Sequence, residues 1–175
     1  MEKIIPSTSK SAMNYGAMLG LILMVLTLIV YVAELYSAQW INWVSTAILI
    51  GGVILGIKRR RDNELGGFIS YSSSLGYGTL VSFFAAIITA VVTFLYISYV
   101  DDGFIQFTLE KTENDMYANG MPDEQIEMAM SMTKKWVSPG IIGFTSVFIT
   151  TLVGFIVSLI ASAFLKKEAS PFEEI

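Results

Sequence analysis

Four stretches of this chain, 15–36, 40–57, 75–100 and 140–165, are apolar over 18 residues or more. A helix rising 1.5 Å per residue needs about 20 residues to cross a hydrocarbon core of roughly 30 Å, so each can span a bilayer. The last three contain no Asp, Glu, Lys or Arg, and the first contains only Glu34, near its end. A helix of a soluble protein keeps a polar stripe, and Leu19-Gly20-Leu21-Ile22-Leu23-Met24-Val25-Leu26 has none. Only 15% of the residues are charged, against about 25% in ordinary soluble domains. The third and fourth stretches exceed the minimum and should tilt or project beyond the bilayer. The first is too long for a signal-peptide core of about 7–15 residues, and no A-x-A site follows it, so it reads as a retained signal-anchor helix. The expected fold is all-α: a four-span transmembrane helical bundle, one membrane domain over 1–175, with a short helical extracytoplasmic cap between spans three and four.

Orientation follows from the basic residues. Lys3 and Lys10 precede the first span, Lys58, Arg59, Arg60 and Arg61 open the loop 58–74, and Lys166 and Lys167 follow the last span. The opposite side holds only Lys111, Lys134 and Lys135. Lys and Arg resist translocation, so the side with eight of the eleven is expected to be cytoplasmic, with both termini inside. Trp40, Trp43 and Trp136 then mark the outer interface, where amphipathic rings settle. The basic loop is first of all a topological anchor, and anionic lipid headgroups near it would add about 1 kcal/mol per basic residue. Residues 65–71 read as an interfacial turn or half-helix on the inner leaflet.

Outside, Ser37-Ala38-Gln39 turns the chain within a few residues, making spans one and two antiparallel neighbours. The segment 101–139 is longer and carries eight acids against three lysines. Its pattern predicts a helix over about 103–118, broken by Asn119-Gly120, and a second from Pro122 to Val137. The second has Asp123 and Glu124 at its start and Lys134 and Lys135 at its end, matching the helix dipole. Ile126, Ala129, Met130, Thr133, Trp136 and Val137 share a face that Met128 and Met132 widen to about half the circumference. Such a face suits packing on the mouth of its own bundle. It also suits a partner, with Ile126, Met128, Met130, Met132 and Trp136 as the candidate contact residues.

Lipid supplies no hydrophobic drive between helices, so small residues that admit close backbone approach should mark contacts. Gly16 and Gly20 do this in span one, and Gly52 and Gly56 form a GxxxG pair in span two. Span three offers Gly78, Ser82, Ala86 and Ala90, and span four Ser146, Thr150, Gly154 and Ser158. A Ser/Thr permeation path is the other reading of the same residues.

The chain has no Cys and no His, which removes thiol catalysis, histidine bases and Cys/His zinc sites. A net charge of −4 leaves no basic face for nucleic acid. The acidic loop lacks EF-hand spacing, so no cofactor or metal is expected. An enzyme would have to use Asp101, Asp102, Glu110 and Glu113. Glu34 is the one candidate intramembrane polar site, placed where it can snorkel to the interface.

Several short motifs coincide with a known family. They are Tyr15-Gly16 before the run Leu19-Gly20-Leu21-Ile22, and Arg61-Asp62 leading into Gly66-Gly67-Phe68-Ile69-Ser70-Tyr71. Gly78 near the start of span three, Pro122-Asp123-Glu124-Gln125-Ile126-Glu127 and Ser138-Pro139 complete the set. Over about residues 10–167 the chain resembles the bacterial membrane proteins of domain-of-unknown-function family 4199. The resemblance implies an integral inner-membrane protein of Gram-negative bacteria and no assigned reaction. The reading that joins these features is a non-enzymatic structural or accessory subunit of a membrane complex. The alternative is a small transporter or lipid-handling protein using the crevice between spans. A membrane-protein partner and a homo-oligomer both stay open, because GxxxG pairs serve either.

Overall fold

The computed structural model describes residues 6–167. Among these are six α-helices and no strand: α1 (Thr8–Val32), α2 (Gln39–Arg59), α3 (Tyr71–Tyr99), α4 (Gly103–Ala118), α5 (Asp123–Trp136) and α6 (Pro139–Leu165). The helices α1, α2, α3 and α6 are long and apolar enough to cross a membrane, so the chain is an all-α, multi-pass membrane protein. Lys3, counted above among the basic residues, lies outside the described residues.

Helix ends explain where the spans differ from the apolar stretches. Ser7 caps α1, its side chain accepting from Lys10 N (3.4 Å), so the helix starts seven residues before the stretch 15–36. It also stops earlier. Ala33 N donates to Ile29 O (3.0 Å), Glu34 takes a left-handed conformation (φ +52°), and a 3-10 turn, Leu35–Ser37, leads to α2. Two antiparallel helices joined this tightly cannot both continue to the turn. Glu34 therefore stands exposed in the connector, not inside the first span.

At the other end α2 runs past residue 57 into a π-helical turn, Arg60–Glu64. Gly66 and Gly67 then reverse the chain at φ +67° and +96°, and Ser70 caps α3, accepting from Ser73 N (3.3 Å). Residues 71–74 are thus the first turn of α3, and a turn, with no separate half-helix, links the two spans. Ile69 and Lys167 exchange backbone hydrogen bonds of 2.8 and 3.0 Å, tying this turn to the end of α6.

Within the bundle α3 is central, with α1 and α6 packed along it and α2 lying less closely against all three. A Cβ on Gly16 would lie 2.7 Å from Val81 O, and one on Gly20 would lie 3.0 Å from Ala85 O. On its α6 side the fit is reciprocal: Gly78 receives Ser158, and Gly154 receives Ser82. Both serines donate to their own helices, Ser82 Oγ to Gly78 O (3.0 Å) and Ser158 Oγ to Gly154 O (2.7 Å). They therefore fill the notches without needing a partner across the seam. Ala86 and Ala90 are also buried. Gly52 and Gly56 behave differently, since they receive the side chains of Leu19 and Tyr15 in place of a second backbone.

Ser146 and Thr150 are only half-buried, although their spacing placed them on the α6 ridge. Residues four apart drift by about 40° per step around a helix, so a strict four-residue ridge turns away from its seam. Gly143, eleven residues before Gly154 and about 20° from it in azimuth, is the buried position at that level.

Burial is unequal along the bundle. On α1 it runs from Ser11 to Leu23 and resumes at Tyr31. On α2 it covers Leu49 to Ile57, with Ile41 apart. The core of Leu19, Leu23, Leu49, Val53, Tyr77 and Val81 thus fills the half nearer the basic loop. The half nearer the acidic segment is more open.

The acidic segment forms a helical hairpin, turning at Gly120 (φ +74°), with α5 packed chiefly on α4. Ile126 and Met130 are buried, but Met128, Met132 and Trp136 are 67%, 59% and 67% exposed. The broad face expected of α5 is therefore split. Met128 and Met132 lie about 160° from Met130 in azimuth and cannot meet the same neighbour.

Candidate functional site

The open half contains a crevice walled by all four spans. Thr27 of α1, Ser45 and Thr46 of α2, Thr89 of α3 and Thr150 of α6 line a space of about 210 Å³, floored by Leu23 and Leu49. Four of these hydroxyls bond their own helices at i−4: Thr27 to Leu23 O (2.9 Å), Ser45 to Ile41 O (3.0 Å), Thr46 to Asn42 O (2.8 Å) and Thr89 to Ala85 O (3.1 Å). The proton is used locally, while the oxygen keeps accepting capacity toward the cavity. The wall is therefore mildly polar and uncharged.

Thr27 and Ser45 also wall a second space of about 170 Å³ directly beyond it. That space shares Tyr36, Asn42 and Phe104 with a groove of about 680 Å³ between the α1–α2 connector and α4, where Gln39, Glu110 and Lys111 stand. The three spaces adjoin in series through these shared wall residues, the widest at the acidic end and the narrower ones toward the core.

An aromatic collar stands at the second of these spaces, which Tyr31, Tyr36 and Phe104 line. Tyr31 stacks on Tyr96, with centroids 5.0 Å apart and planes at 13°, and meets Phe104 edge-on at 5.6 Å. Tyr36 contacts Phe104 at 5.7 Å and Phe107 at 5.9 Å, which attaches α4 to the bundle. The Tyr36 hydroxyl lies 3.2 Å from Tyr31 O and 3.4 Å from Asp101 Oδ2, dividing one proton between two acceptors. Burial, followed by the negative charge of Asp101, pushes its pKa up to about 12.

The four carboxylates considered for catalysis do not converge. Asp101 accepts from Gly103 N (3.1 Å) at the start of α4, Asp102 accepts from Gln106 Nε2 (2.8 Å), and Glu110 faces the outer groove while Glu113 is half-buried. Among the described residues no group of three or more acidic side chains is placed to hold a metal ion. Trp40, Trp43 and Trp136 are all exposed, the first two in the opening turn of α2 and the third at the end of α5.

The basic end is built very differently. Arg60, only 4% exposed, donates to Pro6 O (3.0 Å) and Thr8 Oγ1 (3.4 Å), pairs with Glu64, and lies over the Tyr77 ring at 5.7 Å. Ser11 Oγ donates to Glu64 Oε1 (3.0 Å) and lies 3.3 Å from Tyr77 Oη. Arg61 binds Asp62 through two nitrogens and donates to Leu165 O (3.1 Å), closing the carbonyl end of α6. Two of the four loop cations are thus internal fasteners, and Lys58 and Arg59 remain exposed. The sequence reading omitted Ser11, Glu64 and Tyr77. The signal was present: Leu49, Val53, Gly56 and Ile57 define a buried face that continues to Arg60, and Glu64 is one helical turn further on.

The model of a family described as a protein of unknown function (DUF4199) matches residues 14–167, and the chain belongs to that family. No curated protein and no solved structure matches it.

Proposed function

We propose that this member of the family is a non-enzymatic protein of a bacterial inner membrane that holds an uncharged or weakly polar amphiphile in the four-span crevice. The carrying observation is the series of adjoining spaces from the α4 groove to Leu23 and Leu49, each sharing wall residues with the next. Its wall offers hydroxyl acceptors and apolar surface with no ionised group at depth. That suits a ligand with ester, ether or hydroxyl groups on an apolar body, and does not suit an ion-coupled carrier, which needs a titrating or charged residue there. With the basic end in the cytoplasm and both termini there, the widest of these spaces lies on the extracytoplasmic side. Lipid handling, or transport of such a molecule, is the activity this reading assigns.

A photo-reactive residue at Thr46 tests it. In intact membranes it should label one amphiphile out of proportion to its abundance, and Ser45→Phe, which fills the shared wall, should abolish that adduct. Labelling that mirrors bulk lipid composition, or that persists in Ser45→Phe, would overturn the reading.

The accessory-subunit reading has its own support in α5, whose exposed Met128, Met132 and Trp136 form an adaptable apolar surface outside the spans. A photo-reactive residue at Met132 should then yield a discrete adduct with one other membrane protein, or with a second copy of this chain. Labelling of water and lipid alone would remove it.

A further inference from the structure

We infer that the basic end carries a binding site for one anionic phospholipid, with its headgroup beside Arg59 and an acyl chain in the groove between α1 and α2. Two cavities meet there. The polar one, about 110 Å³, is lined by Ser11, Asn14, Arg59, Glu64 and Tyr77. The apolar one, about 310 Å³, runs along Leu19, Ile22, Ile48, Gly51 and Leu55. Tyr15 and Met18 wall both, so a polar pocket lies directly beside an apolar groove. From Tyr15 to Ile22 the groove follows α1 for roughly 10 Å, which is the reach of part of a fatty acyl chain.

Charge selects the headgroup. Glu64 is neutralised by the buried Arg60, leaving Arg59 as the net charge of the pocket. The Arg59 guanidinium lies over the Tyr15 ring at 5.7 Å and has no carboxylate partner among the described residues. An aromatic ring orients a guanidinium without satisfying its in-plane donors, so these stay available to a phosphate. Asn14 adds an amide on the same wall.

The groove exists because α2 carries glycine where α1 approaches it. Leu19 enters the notch at Gly52 and Tyr15 the notch at Gly56, while a Cβ on Gly51 would meet nothing within 4 Å. A free anion would occupy the pocket and leave the groove to bulk lipid. A tethered headgroup and chain fills both, which is why the occupant is a phospholipid.

The test uses the full chain, delipidated in detergent and titrated with phosphatidylglycerol or phosphatidylcholine of identical chains, with bound lipid counted by native mass spectrometry. One phosphatidylglycerol should be retained roughly fivefold to tenfold better than phosphatidylcholine. Arg59→Gln should erase that preference. Lys58→Gln, which removes a neighbouring cation outside the pocket, should keep it. Gly51→Phe, whose side chain enters open space and leaves the fold intact by circular dichroism, should weaken both lipids. Equal retention of the two lipids, an unchanged preference in Arg59→Gln, an equal loss in Lys58→Gln, or displacement of the lipid by inorganic phosphate would each overturn the site.

Discussion

The two ends of the bundle use polar residues in opposite ways. At the basic end Arg60, Glu64, Ser11 and Tyr77 are drawn inward and consume one another's hydrogen bonds, which locks α1, α2 and α3 together. At the acidic end Thr27, Ser45, Thr46 and Thr89 satisfy themselves on their own helices and leave space between the helices unfilled. The lesson is that a polar group inside a membrane bundle adds a bond between helices only when its partner lies on a different helix. Where the partner is the i−4 carbonyl, packing alone decides: Ser82 and Ser158 fit the notches at Gly154 and Gly78, whereas Thr27, Ser45, Thr46 and Thr89 border open space.

The largest test of that contrast is Glu64→Ala. It leaves the buried Arg60 guanidinium without its counter-charge, which costs about 3–5 kcal/mol when a buried pair loses one member. Unfolding in mixed detergent micelles should register it. The double replacement Arg60→Met, Glu64→Leu should recover most of the loss, because removing both charges removes the desolvation cost as well. If both variants were equally destabilised, packing at these positions, not charge, would be the lock.

Next in size is Gly154→Leu. Gly154 already receives Ser82, so extra side chain there must separate α3 from α6, costing about 1–3 kcal/mol. The same operation in the open half, Ser45→Phe, should change stability by less than about 0.5 kcal/mol because the crevice accepts the ring. A comparable loss at Ser45 would mean that the two halves are packed alike, and the contrast would fail.

These differences also explain what the sequence made legible. Span number and the hairpin boundaries were readable because lipid demands continuous apolar runs, and because Asn119-Gly120 and Pro122 are local stop and start signals. The end of α1 was not, since Glu34 leaves the helix to satisfy a reversal whose geometry depends on where α2 lies. Arg60 was hidden among four consecutive cations that look alike in one dimension and differ only in azimuth. The crevice was hidden for another reason. Thr150 is small enough to read as a packing residue, and only the drift of a four-residue ridge away from Gly143 and Gly154 assigns it to the crevice.

The smallest expected effect concerns the collar beside the crevice. Tyr36 holds its proton to about 12 because it is buried beside Asp101, whereas an unfolded tyrosine releases it near 10. The sign follows from linkage: between these values the folded state binds the extra proton, so the contribution of Tyr36 is complete below pH 10 and declines as pH rises toward 12. Tyr36→Phe should cost about 1 kcal/mol or less at neutral pH, the value of one partly exposed hydrogen bond. The difference in tyrosinate absorbance between wild type and Tyr36→Phe isolates this one ring, and its midpoint should lie near 12. A midpoint near 10 would place Tyr36 in water, against the contacts with Phe104 and Phe107 by which it attaches α4 to the α1–α2 connector.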